Sequence, residues 1–347
     1  MMATNLKESR CGVLAAGNWI VDRVKIIDRW PQQDALAMIT EQSESNGGCA
    51  YNMLKDLALL GCGFPLYACG RIGADGDGAM ILADLEAQGI DSRGLIRTEE
   101  SPTSYTDVMT VDSTGRRTFF HQKGANAIFH EEDCALADFP ARLFHLGYFG
   151  LLDRLDETGA DGRNGHERLL ARASELGFLT SADLVTDEGR AFDRLVAPVL
   201  PHLDFLFLNE LEGELLSGIS ARNPKASGGI DPEKLEAQAR HAVEGGVRQA
   251  VVVHCAEGVV AVTAEGIVHR QGAVQVPAVR IRGAAGAGDA LSAGVLFGVH
   301  EGWPFVESLE LGVCTAALSL EASTCSASLR PWHECLGYGR SLGFRAF

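Results

Sequence analysis

Residues 280–294 read RIRGAAGAGDALSAG, with Asp289 standing alone among glycines and alanines. If a helix begins near residue 287, its first turn presents the unpaired amides of Ala287, Gly288 and Asp289 beside the positive end of the helix dipole. Such a start holds an anion when no side chain stands in the way, and Gly286, Ala287 and Gly288 leave it bare. A carboxylate there repels a resting anion. It suits a hydroxyl that attacks a phosphoryl group, because it accepts the hydroxyl's proton and turns the oxygen in line. The same residues also make an ordinary strand-to-helix turn with a first-turn acid, which the dipole favours by about 0.3–1 kcal/mol. Two other nucleotide motifs fail. The spacing Gly283-x-x-Gly286-x-Gly288 is not the dinucleotide fingerprint, and GxxxxGK[ST] occurs nowhere in the chain.

Three other stretches carry polar groups that fit a polyol or a phosphate. In NGGCAYNMLKDLALLG (46–61), Gly47 and Gly48 allow close backbone approach, and Asn52 offers an amide that both donates and accepts. In GNWIVD (17–22), Asn18 and Asp22 follow an apolar strand, where open α/β sheets place ligands. Asp22 there could accept from vicinal hydroxyls. In LNELEGELLSG (208–218), Asn209 and Glu212 share one helix face and could orient water on a magnesium ion. Each has a plainer reading: a glycine turn, a strand-end turn and an N-terminal capping pattern.

The elements that must position these residues alternate strand with helix. Near-continuous apolar runs at 11–17, 64–70, 142–148, 177–183, 204–210 and 249–255 read as strands of a parallel sheet covered on both faces. Between them, 50–60, 76–88, 165–176, 232–245, 287–300 and 305–321 read as helices, which implies a doubly wound sheet. Residues 19–43 and 103–121 break the rhythm as amphipathic ribbons, the second turning at DSTG. Two such ribbons would form a small sheet outside the main one, placed as a lid. The loop at 218–233, rich in Gly, Pro and Ser, reads as a mobile surface connection.

The chain has 347 residues, 46% hydrophobic and 22% charged, which fits a large globular α/β domain. A formal net charge of −16 argues against nucleic acid or an anionic membrane as partner. Nine scattered cysteines suit a reducing cytosol. No apolar run reaches the roughly 18 residues of a membrane span, and the N-terminus does not read as a signal peptide, so a cytoplasmic location is expected.

Taken in order, the four stretches resemble the ribokinase-like (PfkB) family of carbohydrate and nucleoside kinases, with GRIGADGDG (70–78) and HQKGAN (121–126) as supporting loops. The resemblance implies a three-layer α/β/α sandwich over residues 11–331 with a mostly parallel central sheet. It also implies a β lid from about 19–43 and 103–121 and leaves 332–347 as a C-terminal tail. It implies transfer of the ATP γ-phosphoryl group to a primary hydroxyl, with Asp289 as base and Gly286, Ala287 and Gly288 as anion hole. Asn18, Asp22, Gly47, Gly48 and Asn52 would contact the acceptor, and Asn209 and Glu212 would lie near Mg2+ and phosphate. A homodimer through the lid is implied as well. The chain departs from the family at Gly283 and Ala284, where an Asp-Thr pair is usual, which removes the customary support for K+ activation. His254-Cys255-Ala256 likewise replaces a Thr-x-Gly near the nucleotide, and Leu54 stands where a small residue is preferred.

Two alternatives remain at this level. Arg116, Arg117 and Lys123 near the lid could hold a second anion, making the acceptor a phosphorylated sugar or an acidic keto-sugar. The lost elements also fit a sugar- or nucleotide-binding sensor without turnover, although such a protein would have no use for Asp289.

Overall fold

The apolar run at 11–17 becomes β1 (Val13–Gly17), in which Val13 and Ala15 face one core while Leu14 and Ala16 face the other. A strand so placed must be covered on both sides, and the rest of the fold supplies the cover. The computed structural model describes residues 10–186, 192–222, 229–322, 324 and 326–347. Two parallel neighbours flank β1, β4 (Leu66–Gly73) on one side and β8 (Leu143–Gly147) on the other. Beyond β4 lies β5 (Asp91–Thr98). Beyond β8 come β9 (Leu179–Ala182), β10 (Phe205–Asn209) and β11 (Ala250–His254), all parallel. An antiparallel hairpin of β12 (Gly258–Thr263) and β13 (Val268–Gly272) ends the sheet.

Helices α1 (Cys49–Leu59), α2 (Gly76–Ala87), α6 (Ala287–Glu301), α7 (Phe305–Ser319) and α8 (Trp332–Leu342) pack on one face. On the other lie α3 (Gly165–Glu175), α4 (Glu210–Ser217) and α5 (Pro232–Glu244). The architecture is the expected α/β/α sandwich, and each predicted strand and helix falls within a few residues of its place. The tail expected at 332–347 is instead part of the fold. Its apolar positions recur at helical spacing, so Cys335, Leu336 and Gly339 are buried against the rest of the domain. Gly339 lies so close to Cys314 that a Cβ there would come within 2.2 Å of the thiol sulfur.

The lid is one four-stranded sheet, in the order β3 (Ile39–Gly47), β2 (Ile20–Ile27), β6 (Ser104–Val111) and β7 (Arg117–Gln122). Its first ribbon runs four residues past the expected end, so Gly47 closes both the lid strand and the approach to α1. Of the loop expected at 218–233, residues 223–228 lie outside the described residues, and Arg222 and Ile230 pair across its base.

After β1 the chain builds the lid, β4 and β5 to one side, then returns to build β8 onward to the other. The carboxyl end of β1 is therefore the topological switch point, where open α/β sheets leave a crevice. Its floor is bare. Gly17 stands in register with Gly70 and Gly147, and a Cβ on Gly17 (φ 125°) would lie 1.8 Å from the Gly147 carbonyl oxygen.

Candidate active site

Asp289 enters this crevice as the third residue of α6, which packs on the same face of the sheet as α1. Gly286 precedes that helix in the left-handed region (φ 76°), which a side chain would strain, and no side chain caps the helix start. The first regular bond is from Ala290 N–H to Gly286 O at 2.9 Å; Ala287 N–H turns back to Ala284 O at 3.4 Å. The Gly288 and Asp289 amides precede the first i−4 acceptor, which leaves the helix start suited to an anion.

Asp289 is almost wholly buried, and its carboxylate is held from two elements distant in sequence. Asn52 Nδ2, on α1, donates to one oxygen at 2.8 Å. The Tyr148 hydroxyl, just past β8, lies 2.8 and 2.7 Å from the two oxygens. The Cys49 thiol faces the same carboxyl. Burial raises Asp289 to about 6, while the hydrogen bonds from Tyr148, Asn52 and Cys49 favour the ionised form and oppose that rise. A carboxyl so poised ionises near neutrality and can still take up a proton, as a general base must.

The residues expected to contact an acceptor lie to one side of this carboxyl. Asn18 donates its backbone N–H to Gly147 O at 3.0 Å, and its Oδ1 accepts from the Tyr148 N–H. Among the described residues its buried Nδ2 has no hydrogen-bond partner, and neither has Oδ1 of Asn52. Unpaired buried donors and acceptors are costly, and a polyol would satisfy both. Asp22 belongs to lid strand β2 rather than to a strand-end turn, and it lies against Gly47, where a Cβ would stand 2.3 Å from the carboxylate. Burial raises Asp22 to about 6; the Thr106 hydroxyl and, more weakly, Arg117 oppose this, and the charge of Asp289 adds to it. Gly48 (φ 94°) closes the wall, with a Cβ there only 2.4 Å from Asn18 O. The loop HQKGAN acts through Asn126, whose side-chain amide accepts from and donates to the Trp19 backbone at 3.2 Å, fixing the crossing from β1 into the lid.

On the other side of Asp289 a cavity of about 470 Å3 opens, lined among others by Asn209, His254, Cys255, Gly288, Leu291 and Val313. Its walls are mostly apolar, as a nucleoside pocket's are, and the bare helix start forms one end of it. His254 and Cys255, which stand where the family has other residues, line this pocket. Burial lowers His254 to about 4, so the imidazole is neutral beside Gly288. Asn209 and Glu212 form the capping box: Asn209 Oδ1 accepts from Leu211 and Glu212 N–H at 2.9 Å, and Glu212 accepts from Asn209 N–H at 2.9 Å. Asn209 also lines the pocket, whereas the Glu212 oxygens turn to Asn209 and Thr186. The capping pattern of the plainer reading is present in both residues.

The structure thus gathers Asn18, Asp22, Gly47, Gly48, Asn52 and Asp289 at one crevice, with Ala287, Gly288 and Asn209 lining the neighbouring pocket and Gly286 capping the helix beside them. Sequence reasoning missed Tyr148, Cys49 and Asp183. Asp183 follows β9, accepts from Ser292 Oγ at 3.0 Å, and is raised by burial and by the charges of Asp289 and Glu212. The available signal was position, since Tyr148 and Asp183 each follow an apolar run of the central sheet.

This crevice and sheet define a ribokinase-like α/β fold. The chain superposes on Arabidopsis thaliana ribokinase, solved with ribose and ATP, with a TM-score of 0.76 at 20% identity over 95% of this chain and 98% of that one. For the Methanocaldococcus jannaschii nucleoside kinase the TM-score is 0.72 at 19% identity, over 95% and 98%. The pfkB family carbohydrate kinase profile matches residues 16–332, and the chain belongs to that family. A relative in sequence is an ATP-dependent ribose-1-phosphate kinase of Halopiger xanaduensis, 28% identical over 58% of this chain and 62% of the relative.

Proposed function

We propose that this protein transfers the γ-phosphoryl group of ATP to a hydroxyl, preferably primary, of a sugar or nucleoside. The observation that carries the reading is the position of Asp289: buried at a bare helix start, with polyol-binding groups on one side and an apolar nucleotide-sized pocket on the other. The acceptor hydroxyl donates to Asp289, and its oxygen attacks the γ-phosphorus as the bond to the ADP oxygen breaks. The proton passes to the Asp289 carboxylate. The Gly288 and Asp289 amides, with the helix dipole, stabilise charge on the transferring group. Names of relatives point the same way, to sugars and nucleosides as acceptors and ATP as donor.

Mg2+ suits this site as a partner of the nucleotide. Among the described residues no cluster of three His, Cys, Asp or Glu side chains could hold a metal by itself. Asp183, Glu212 and Asp289 are all raised by burial, and Asp183 further by the other two, an excess of negative charge that a cation would relieve. Magnesium is usually bound through phosphates and water with one or two carboxylates, which fits that arrangement. Gly283 and Ala284 supply no side-chain ligand for K+. The eight cysteines among the described residues are unpaired, in keeping with a cytoplasmic protein. The exposed apolar side chains of the lid, Trp30, Met38, Ile39, Phe119 and Phe120, support a homodimer formed there.

A screen of pentoses, hexoses, their phosphates and nucleosides, read by ADP release, tests the reading. Turnover is expected with at least one class. Calorimetric binding of a sugar with no ATP consumption would instead make the protein a sensor.

A further inference from the structure

We infer that the acceptor carries an anionic group, a phosphate or a carboxylate, held by Arg117 and Arg282 in the seam between the lid and the loop before α6. The inference rests on the kinase reading and adds the acceptor's class to it. A cavity of about 570 Å3 lies in that seam, lined by Arg117 and Phe119 of the lid hairpin and by Ile281, Arg282, Gly283 and Ala284 of the loop. Arg117 and Arg282 line it and, among the described residues, no acidic residue does, in a chain of net charge −16.

Several other arginines are matched by carboxylates: Arg23 pairs with Asp77 at 2.7 Å, Arg71 with Asp133 at 2.6 Å and Arg248 with Asp204 at 2.7 Å. Among the described residues neither Arg117 nor Arg282 forms an ion pair within 4.0 Å. Gly283 gives Arg117 its place. A Cβ there would stand 2.3 Å from Arg117 Nη2, so the glycine lets the guanidinium lie along the loop backbone. From there its charge reaches Asp22, the carboxylate assigned to the acceptor. Arg117 therefore stands between the acceptor crevice and the loop that leads to the anion hole, on the lid side of both.

Two other lid cations weighed from sequence drop out. Lys123 is engaged with Asp153 and with Gly150 O at 3.1 Å, and Arg116 is exposed at the hairpin tip. A guanidinium fork matches phosphate and carboxylate oxygens in pairs, which is the chemistry that fills such a seam.

The test is steady-state kinetics at saturating ATP with ribose and fructose, ribose 1-phosphate and fructose 6-phosphate, and ribonate and gluconate. An anionic acceptor should exceed its neutral counterpart in kcat/KM by about 10–100-fold, as hydrogen bonds to a charged group allow. Arg117→Ala should cost the anionic acceptor about 10–100-fold in kcat/KM, through KM, and the neutral sugar markedly less, and Arg117→Lys should restore part of the preference. The phosphate and acid arms tell the two sources of charge apart. A neutral sugar preferred by the wild type, or an equal loss on neutral and anionic acceptors in Arg117→Ala, overturns the inference. Calorimetry with the same six compounds and no ATP keeps the two readings separate. Anion-dependent binding lost in Arg117→Ala supports the subsite even if no compound is phosphorylated, and binding indifferent to charge overturns it even if one is.

Discussion

At Asp289, burial and hydrogen bonding pull in opposite directions. Burial favours the protonated carboxyl, and Tyr148, Asn52 and Cys49 favour the carboxylate. Asp22, Asp56 and Asp183 all feel its negative charge. A base must be ionised to act, so activity is expected to fall as pH drops through about 6. Tyr148→Phe keeps the ring but removes a donor to the carboxylate, which raises the base's pKa. The acid limb of the kcat/KM profile should then move upward by about one pH unit, since such a bond contributes about 1.5–3 kcal/mol and one unit is about 1.4 kcal/mol. An unmoved limb would make Tyr148 merely part of the packing. Asp289 was legible in the sequence because bare neighbours surround it. Tyr148 was not, because its importance comes from a contact across 141 residues of chain.

Elements were easier to read than the contacts between them. Strands such as Val13–Gly17 and Ala250–His254 announce themselves as unbroken apolar runs, which two-sided burial requires. The C-terminal helix did not. WHECLGYGRSL has glycines at Gly337 and Gly339, which weaken a helical pattern, and Gly339 is there to admit Cys314. The lid's strands were visible in the sequence, but the aromatic pair they leave exposed was not. Trp30 and Phe120 stack with ring centroids 6.1 Å apart while remaining about half exposed, at 50% and 51%. Exposed aromatic pairs of this kind mark association surfaces. Sedimentation of the wild-type chain should give the mass of a dimer at micromolar concentration, and Phe120→Asp that of a monomer with an unchanged melting temperature. A monomeric wild type would assign the exposed ring pair to some other role.

In the whole molecule, the strand order brings the two sides of the reaction together. The crevice beside β1 collects groups suited to hydroxyls, the pocket beside β10 to β12 suits a nucleoside, and the start of α6 lies between them. A strongly acidic chain can still serve a phosphorylated ligand, because amides, a helix dipole and a few unpaired arginines act locally where net charge acts at a distance. The alternation of strand and helix revealed the fold and the sequence order of the motifs. It left open how the lid sits over the crevice, since Arg117 reaches Gly283 only when two ribbons and a loop are folded together. The central claim is that Asp289 takes the proton from the acceptor hydroxyl. ATP-dependent phosphorylation of the best acceptor by Asp289→Asn, which keeps the shape and removes the proton acceptor, is expected to fall by about 10²–10⁴-fold in kcat with the melting temperature retained. Full activity in that variant would contradict the account.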